Sequence, residues 1–92
     1  MRKEVSDMRT FEYTIQDELG IHARPAGKLA KTAKALDSEI TITKGGKTVG
    51  AAKLMALMGL GVKCGDTITV SITGGNEEAS EKTMKEFLEG NL

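Results

Sequence analysis

The sequence predicts a two-layer α+β fold, an open-faced sandwich with the element order β-α-β-β-α-β-α. Segments in which apolar and polar residues alternate are typical of half-buried strands, and they are interspersed with segments whose apolar residues recur at helical spacing. Each alternating strand has one apolar face and one face of Thr, Ser and Glu, whereas a sheet covered by helices on both sides would be apolar on both faces. The helices must therefore pack on a single face of the sheet.

Three alternating segments, and one that returns from a glycine turn, are predicted as strands: residues 10–16, 38–44, 47–51 and 66–73. In the last of them, the two isoleucines and the valine face one way, and the threonines and the serine face the other. Gly45 and Gly46 separate the second strand from the third, which predicts a tight hairpin turn.

Three segments are predicted as helices: one from just behind His22 to Leu36, a short one around residues 54–58 that stops near Gly59 or Gly61, and one over residues 77–89. Pro25 suits the first turn of the first helix, where its missing N–H has no intrahelical partner anyway. Asn76 is predicted to cap the last helix and Gly90 to end it. The residues expected to face inward are Ala26, Leu29, Ala30, Ala33 and Leu36 in the first helix, and Ala79, Thr83 or Met84, Phe87 and Leu88 in the last.

The 92 residues suffice for one small domain, which we place at residues 8–92 behind a flexible N-terminal extension of residues 1–7. A domain of this size has no room for a deep catalytic cavity, which disfavours an independent enzyme. The 13 basic and 13 acidic residues balance, so no global field attracts nucleic acid or an anionic membrane. No apolar run is long enough to insert into a bilayer. One cysteine, Cys64, and no visible signal peptide predict a cytoplasmic location.

Two apparent motifs do not indicate ligand sites. The G-G-K-T of residues 45–48 resembles the end of a phosphate-binding loop, but Thr41 stands where that loop needs glycine, and a strand follows instead of a helix. With one histidine and one distant cysteine, no zinc site can form, and we expect neither a metal nor a cofactor. A run of lysines is interpreted as a solvated helix face in preference to a partner surface: Lys28, Lys31 and Lys34.

The stretch G-I-H-A-R-P-A, residues 20–26, contains the only histidine and the only proline of the chain. An isolated histidine is usually a surface or cap residue, but His22 stands where a strand passes into a helix, so first-turn N–H groups and the helix dipole favour an anion beside it. Arg24 adds a planar cation that matches a phosphate. A neutral imidazole is nucleophilic near pH 7. Together these groups can hold a phosphoryl group as N-phosphohistidine without a metal or an acid–base partner.

This stretch resembles the active-centre motif of the HPr family, the histidine-containing phosphocarriers of the bacterial sugar phosphotransferase system. A second segment, K-T-V-G-A-A-K-L-M-A-L-M-G-L-G at residues 47–61, resembles the family's strand–helix stretch with a leucine and two methionines. The resemblance runs from about Met8 to the C-terminus. It implies a four-stranded antiparallel sheet with three helices on one face, and a monomer.

The resemblance implies that Nδ1 of His22 accepts phosphate from phospho-enzyme I and passes it to enzyme II A domains. The chain would then be a stoichiometric carrier with no turnover of its own and no cofactor. Arg24 would orient the phosphoryl group, and Pro25 would open the helix. The residues expected to dock partners are Ala23, Leu54, Met55 and Met58; a four-residue apolar run cannot all point inward on one helix, so part of it must be exposed.

Two positions depart from the family pattern. Lys53 stands where Gram-positive members carry a regulatory serine, so phosphorylation control at that position is not expected here. Leu19 occupies a loop position that is polar in some members. A paralogue in a regulatory phosphotransferase chain, or a non-transferring regulatory adapter, therefore remains the alternative. An RNA-binding module is disfavoured, because two of the three aromatic residues lie on the face of the first strand that is expected to be buried.

Overall fold

The computed structural model describes residues 9–92, and the predicted extension of residues 1–7 lies outside them. The described residues form seven elements: β1 (Arg9–Thr14), α1 (Ala23–Ala35), β2 (Glu39–Lys44), β3 (Lys47–Gly50), α2 (Leu54–Gly59), β4 (Thr67–Thr73) and α3 (Glu77–Asn91). This order confirms the β-α-β-β-α-β-α arrangement. The domain boundary at residue 8 stays a prediction.

The strands of residues 9–92 form one four-stranded sheet in the order β1-β4-β2-β3, and every neighbouring pair is antiparallel. β4 therefore lies between β1 and β2 at the centre of the sheet. β2 and β3 form a hairpin in which Gly45 and Gly46 have φ angles of 57° and 85°. Two consecutive positive φ angles are typical of the tight turn that glycine favours, which confirms the predicted turn.

The hydrophobic core lies between one face of the sheet and the helices. Its fully buried side chains come from every layer: Ile42 in β2; Ile68, Val70 and Ile72 in β4; Leu29 in α1; Leu57 in α2; Met84 and Leu88 in α3. The opposite face of the sheet is polar, and its threonines form cross-strand hydrogen bonds. Thr14 pairs with Thr67 at 2.9 Å between their hydroxyl oxygens, and Thr43 pairs with Thr48 at 2.7 Å. Helices on one face and a polar open face confirm the two-layer sandwich.

The last helix differs from its prediction at both ends. Asn76 caps it as expected, since its side-chain oxygen accepts the N–H of Ala79 at 3.1 Å. Ala79 itself is exposed, however, and Ser80 is buried in its place because its hydroxyl pairs with that of Ser38 at 2.8 Å. Gly90 does not end the helix, which continues to Asn91.

The loop between α2 and β4 is fixed by a small polar network. Lys44 Nζ lies 3.1 Å from Asp66 Oδ2 and donates to the carbonyl of Gly61 at 3.1 Å. The same carboxylate oxygen of Asp66 accepts the backbone N–H of Lys63 at 2.8 Å. The bond from the Lys63 N–H, and then the one from Lys44, hold the pKa of Asp66 below its ordinary value of 3.8.

We expect Asp66→Asn to remove part of the acid sensitivity of the fold. Below pH 3.8 the unfolded carboxyl binds a proton before the folded one does, so the free energy of unfolding falls as the pH drops through this range. The wild-type protein should exceed the variant in stability at about pH 6, and the difference should disappear toward about pH 2. Urea unfolding across this range measures it. A difference that is independent of pH would contradict the role of the Asp66 charge.

Candidate functional site

The loop between β1 and α1 is held by hydrogen bonds within itself and to the loop before β4. Asp17 forms an Asx turn, because its carboxylate accepts the N–H of Leu19 at 2.8 Å and its carbonyl accepts the N–H of Gly20 at 2.9 Å. The N–H of Ile21 then donates to the carbonyl of Val62 at 3.1 Å. The residue before His22 is thereby fixed to a distant part of the chain.

Gly20 is required for this contact between the two loops. Its φ angle is +69°, and a Cβ atom added there would lie 2.3 Å from the carbonyl oxygen of Val62 and 2.7 Å from the Cα of Lys63. Both atoms belong to the backbone, so no side-chain movement can relieve the clash. Only glycine allows the two loops to approach so closely.

The end of α3 supports the same loop from another side. The backbone oxygen of Leu92 accepts the N–H groups of Gln16 and Asp17, the latter at 2.8 Å. The N–H of Leu92 in turn donates to the carbonyl of Leu88 at 2.8 Å, which continues the helical bonding pattern. The last residues of the described chain therefore lie beside the loop that leads into α1.

His22 is the N-cap residue of α1. Its backbone is extended, with φ −113° and ψ −174°, and its carbonyl accepts the N–H of Ala26 at 2.9 Å. The imidazole does not act as a cap, and the first turn contains no acidic residue. The N–H groups of Ala23 and Arg24 have no acceptor within the helix, and Pro25 has no N–H at all. The half-buried histidine thus lies beside a helix end that favours an anion.

These residues border a surface cavity of about 200 Å³. Its lining residues come from the loop after β1, from the first two turns of α1 and from the end of α3: Asp17, His22, Arg24, Pro25, Lys28 and Asn91. Pro25 is buried, while Arg24 and Lys28 are exposed to solvent. The cavity therefore combines an imidazole with two exposed cations and an uncapped helix end, which is an arrangement that can receive a phosphoryl group.

The structure brings together the predicted residues His22, Arg24 and Pro25, and their functional roles stay predictions. Three further residues line the cavity that the sequence pattern alone did not predict: Asp17, Lys28 and Asn91. Lys28 lies four residues after Arg24 on the same helix face, which is a detectable signal. Asn91 has no such signal, because only the folding of α3 onto the β1–α1 loop places it there.

α2 exposes most of its apolar side chains. Met55 is 77% exposed, Met58 39% and Leu54 38%, while Leu57 is completely buried. This confirms that the apolar run cannot all point inward. Lys53 is exposed as the N-cap residue of α2, and Ala23 is exposed at the start of α1. α1 packs against α2, so the exposed apolar residues lie on the helix that adjoins the one opened by His22. Their role in docking stays a prediction.

Two further properties concern only the part of the chain that the structure describes. Among residues 9–92, no helix is long and apolar enough to cross a membrane. The same residues contain no cluster of three His, Cys, Asp or Glu side chains that would hold a metal ion.

Comparisons with known sequences identify a family that this chain matches. The family model described as "PTS HPr component phosphorylation site" matches residues 9–90. The multiphosphoryl transfer protein of Xanthomonas campestris pv. campestris is 35% identical over 79 residues, which make up 86% of this chain and 9% of that protein. This chain thus spans only a small part of that relative.

Comparisons with solved structures agree with the fold. The histidine-containing phosphocarrier protein of Mycoplasma superimposes with a TM-score of 0.85 at 32% identity, covering 89% of this chain and 93% of that one. HPr-C-His from Thermoanaerobacter tengcongensis superimposes with a TM-score of 0.84 at 33% identity, covering 89% of this chain and 92% of that one. The four-stranded antiparallel sheet with helices on one face is therefore the fold of these proteins.

We expect Gly20→Ala to destabilise the protein by at least about 2 kcal/mol, because the new methyl group would enter the space of the Val62 carbonyl. Gly45→Ala is the matched control. Gly45 also has a positive φ, +57°, but nothing lies within 4 Å of the added atom. That variant should lose only about 1 kcal/mol of stability, which is the cost of the backbone strain that alanine has at a positive φ. Chemical denaturation measures both, and equal losses would contradict the importance of the close approach.

Proposed function

This chain belongs to the family of PTS HPr components, and on that premise we propose that it is a stoichiometric phosphocarrier of the sugar phosphotransferase system. His22 would accept a phosphoryl group from phospho-enzyme I and pass it to enzyme II A domains. The observation that carries the proposal is the cavity in which His22, Arg24 and the N-terminus of α1 meet. The protein would act as a monomer in the cytoplasm.

In the proposed accepting step, Nδ1 of His22 attacks the phosphorus atom with its lone pair. The bond between phosphorus and the donor atom breaks as the phosphorus–nitrogen bond forms. The imidazole carries its remaining proton on Nε2 and releases it to solvent or keeps it until the phosphoryl group leaves. The donating step reverses this sequence on the next acceptor. Such a transfer depends on positioning and on charge stabilisation, both of which the cavity can supply.

Arg24 and the start of α1 have separate roles in this proposal. The guanidinium of Arg24 presents a planar fork that can bind two phosphoryl oxygens at once. The N–H groups of Ala23 and Arg24 have no acceptor within the helix, so they can stabilise the remaining charge. Pro25 fixes φ at the first turn and removes a third N–H, which keeps the start of α1 rigid. The phosphoryl group would replace the missing cap of the helix.

We propose that the partners dock on the exposed side chains of α2, Leu54, Met55 and Met58, and on Ala23. Methionine is flexible and polarizable, so it suits a surface that must fit enzyme I and several enzyme II domains in turn. A carrier must also release each partner quickly, which favours a small interface of less than about 1,200 Å².

The alternative is a regulatory phosphotransferase chain or an adapter that does not transfer phosphate. It is favoured by Lys53, which is exposed at the start of α2 where a regulatory serine is found in other members. The lysine cannot be phosphorylated, and it places a positive charge beside the docking residues. The A domain that accepts the phosphoryl group distinguishes the sugar-uptake chain from the regulatory chain.

We expect the protein to gain one phosphoryl group when it is incubated with phosphoenolpyruvate, magnesium and enzyme I, as measured by intact-protein mass. The modification should be lost in mild acid and kept in base, because it is a phosphoramidate. His22→Ala should gain nothing while retaining the thermal unfolding transition of the wild type, because the half-buried imidazole caps no helix.

A phosphoryl gain in folded His22→Ala would contradict the assignment of His22. If a cognate enzyme I adds nothing to the folded wild-type protein, the carrier function is wrong and the adapter takes its place. If the wild type is phosphorylated but only A domains outside sugar uptake accept the group, the regulatory chain is correct.

We expect Met55→Asp to weaken enzyme I binding at least about fivefold, because the most exposed apolar side chain of α2 would become a carboxylate at the interface. Ala79→Asp is the matched control, since Ala79 is exposed on α3 and α3 carries none of the proposed docking residues. Isothermal titration calorimetry measures both affinities. Equal affinities for the two variants would remove Met55 from the docking surface.

A further inference from the structure

Lys28 lines the cavity that contains His22, although the site needs only Arg24 to orient a phosphoryl group. The two cations are four residues apart on α1, so their side chains leave the same face of the helix one turn from each other. The neighbouring lysines of the helix, Lys31 and Lys34, are also exposed but do not line the cavity. Lys28 is thus distinguished from them by position rather than by charge.

The charges around the cavity show why a second cation matters. Within residues 9–92, the charged side chains that line it are Asp17, Arg24 and Lys28. With Arg24 alone, the carboxylate of Asp17 would cancel the positive charge, and the cavity would be neutral toward a phosphoryl dianion. Lys28 restores a net positive charge. The carboxylate of Asp17 has a structural role of its own, because it accepts the N–H of Leu19 and so stabilises the Asx turn.

We propose that Lys28 is a second phosphate-facing cation, which offsets the charge of Asp17 and stabilises the dianionic phosphoryl group on His22. This inference rests on the proposed phosphocarrier function. The two cations would divide the work according to their chemistry. The rigid fork of Arg24 orients the phosphoryl oxygens, whereas Lys28 is a point charge on a flexible stem that can follow the group as it moves between donor and acceptor.

The test is the pKa of the phosphoryl group on His22, measured by ³¹P NMR titration of the phosphorylated protein at low ionic strength. A nearby cation favours the dianion and lowers this pKa, so Lys28→Gln should raise it by about half a pH unit, the shift expected of one solvent-exposed charge pair. Lys28→Arg should keep the wild-type value. Lys31→Gln is the matched control and should also keep it. High salt should shrink the shift, since exposed charges are screened.

Asp17 allows a second, opposite perturbation. Asp17→Asn keeps an oxygen that can accept the N–H of Leu19 but loses the charge. It should lower the phosphoryl pKa by about the same amount, and the double variant Asp17→Asn with Lys28→Gln should return to the wild-type value, because its net charge in the cavity is that of the wild type. A merely structural effect of either substitution would not cancel in this way.

The outcomes separate this inference from the function on which it rests. If enzyme I does not phosphorylate the wild type, the proposed function is wrong and Lys28 has no phosphoryl group to stabilise. If the wild type is phosphorylated and Lys28→Gln has the same phosphoryl pKa, Lys28 is only a solvated lysine. The same conclusion follows if Lys31→Gln shifts the pKa as much as Lys28→Gln does. A variant that enzyme I accepts poorly can be loaded with phosphoramidate, so the titration is still made.

Discussion

The residue directly before His22 is held by a contact between two backbones, in which the N–H of Ile21 donates to the carbonyl of Val62. The contact is possible because Gly20 has no side chain, since any Cβ there would overlap the Val62 carbonyl. It fixes the backbone directly before His22, the N-cap residue with which α1 begins. Val62, the acceptor in this contact, lies in a loop that the polar network of Lys44 and Asp66 holds in place.

The two faces of the sheet are stabilised in different ways. The apolar face is closed by the helices, and the open face is stabilised by threonine pairs across neighbouring strands. Both groups of candidate site residues lie in the helical layer, where α1 carries the imidazole and α2 exposes Met55 and its neighbours. Leu29 and Leu57 anchor these two helices in the core. The packed core beneath the two helices keeps their backbones in place while the side chains on their outer faces stay exposed.

The element order and the proximity of His22, Arg24 and Pro25 could be predicted because their signals are local: alternation in the strands, and a histidine directly before a helix that opens with proline. Asn91 could not be assigned to the site, because its place depends on a contact between opposite ends of the described chain. The burial of Ser80 instead of Ala79 could not be predicted from the sequence either. A buried hydroxyl needs a partner, and that partner, Ser38, lies in a different segment. Local patterns thus predict which elements form but not which distant groups satisfy one another.

The bond from the β1–α1 loop to the backbone oxygen of Leu92 also has a consequence for biosynthesis. A chain emerging from the ribosome presents His22 before α3, and α3 cannot reach this loop until nearly all of the described sequence has been made. Until then the cavity lacks Asn91, and the loop that leads into α1 lacks its hydrogen bonds to Leu92. Within the described residues, the cavity around His22 is therefore complete only after α3 has been made and has folded onto the β1–α1 loop.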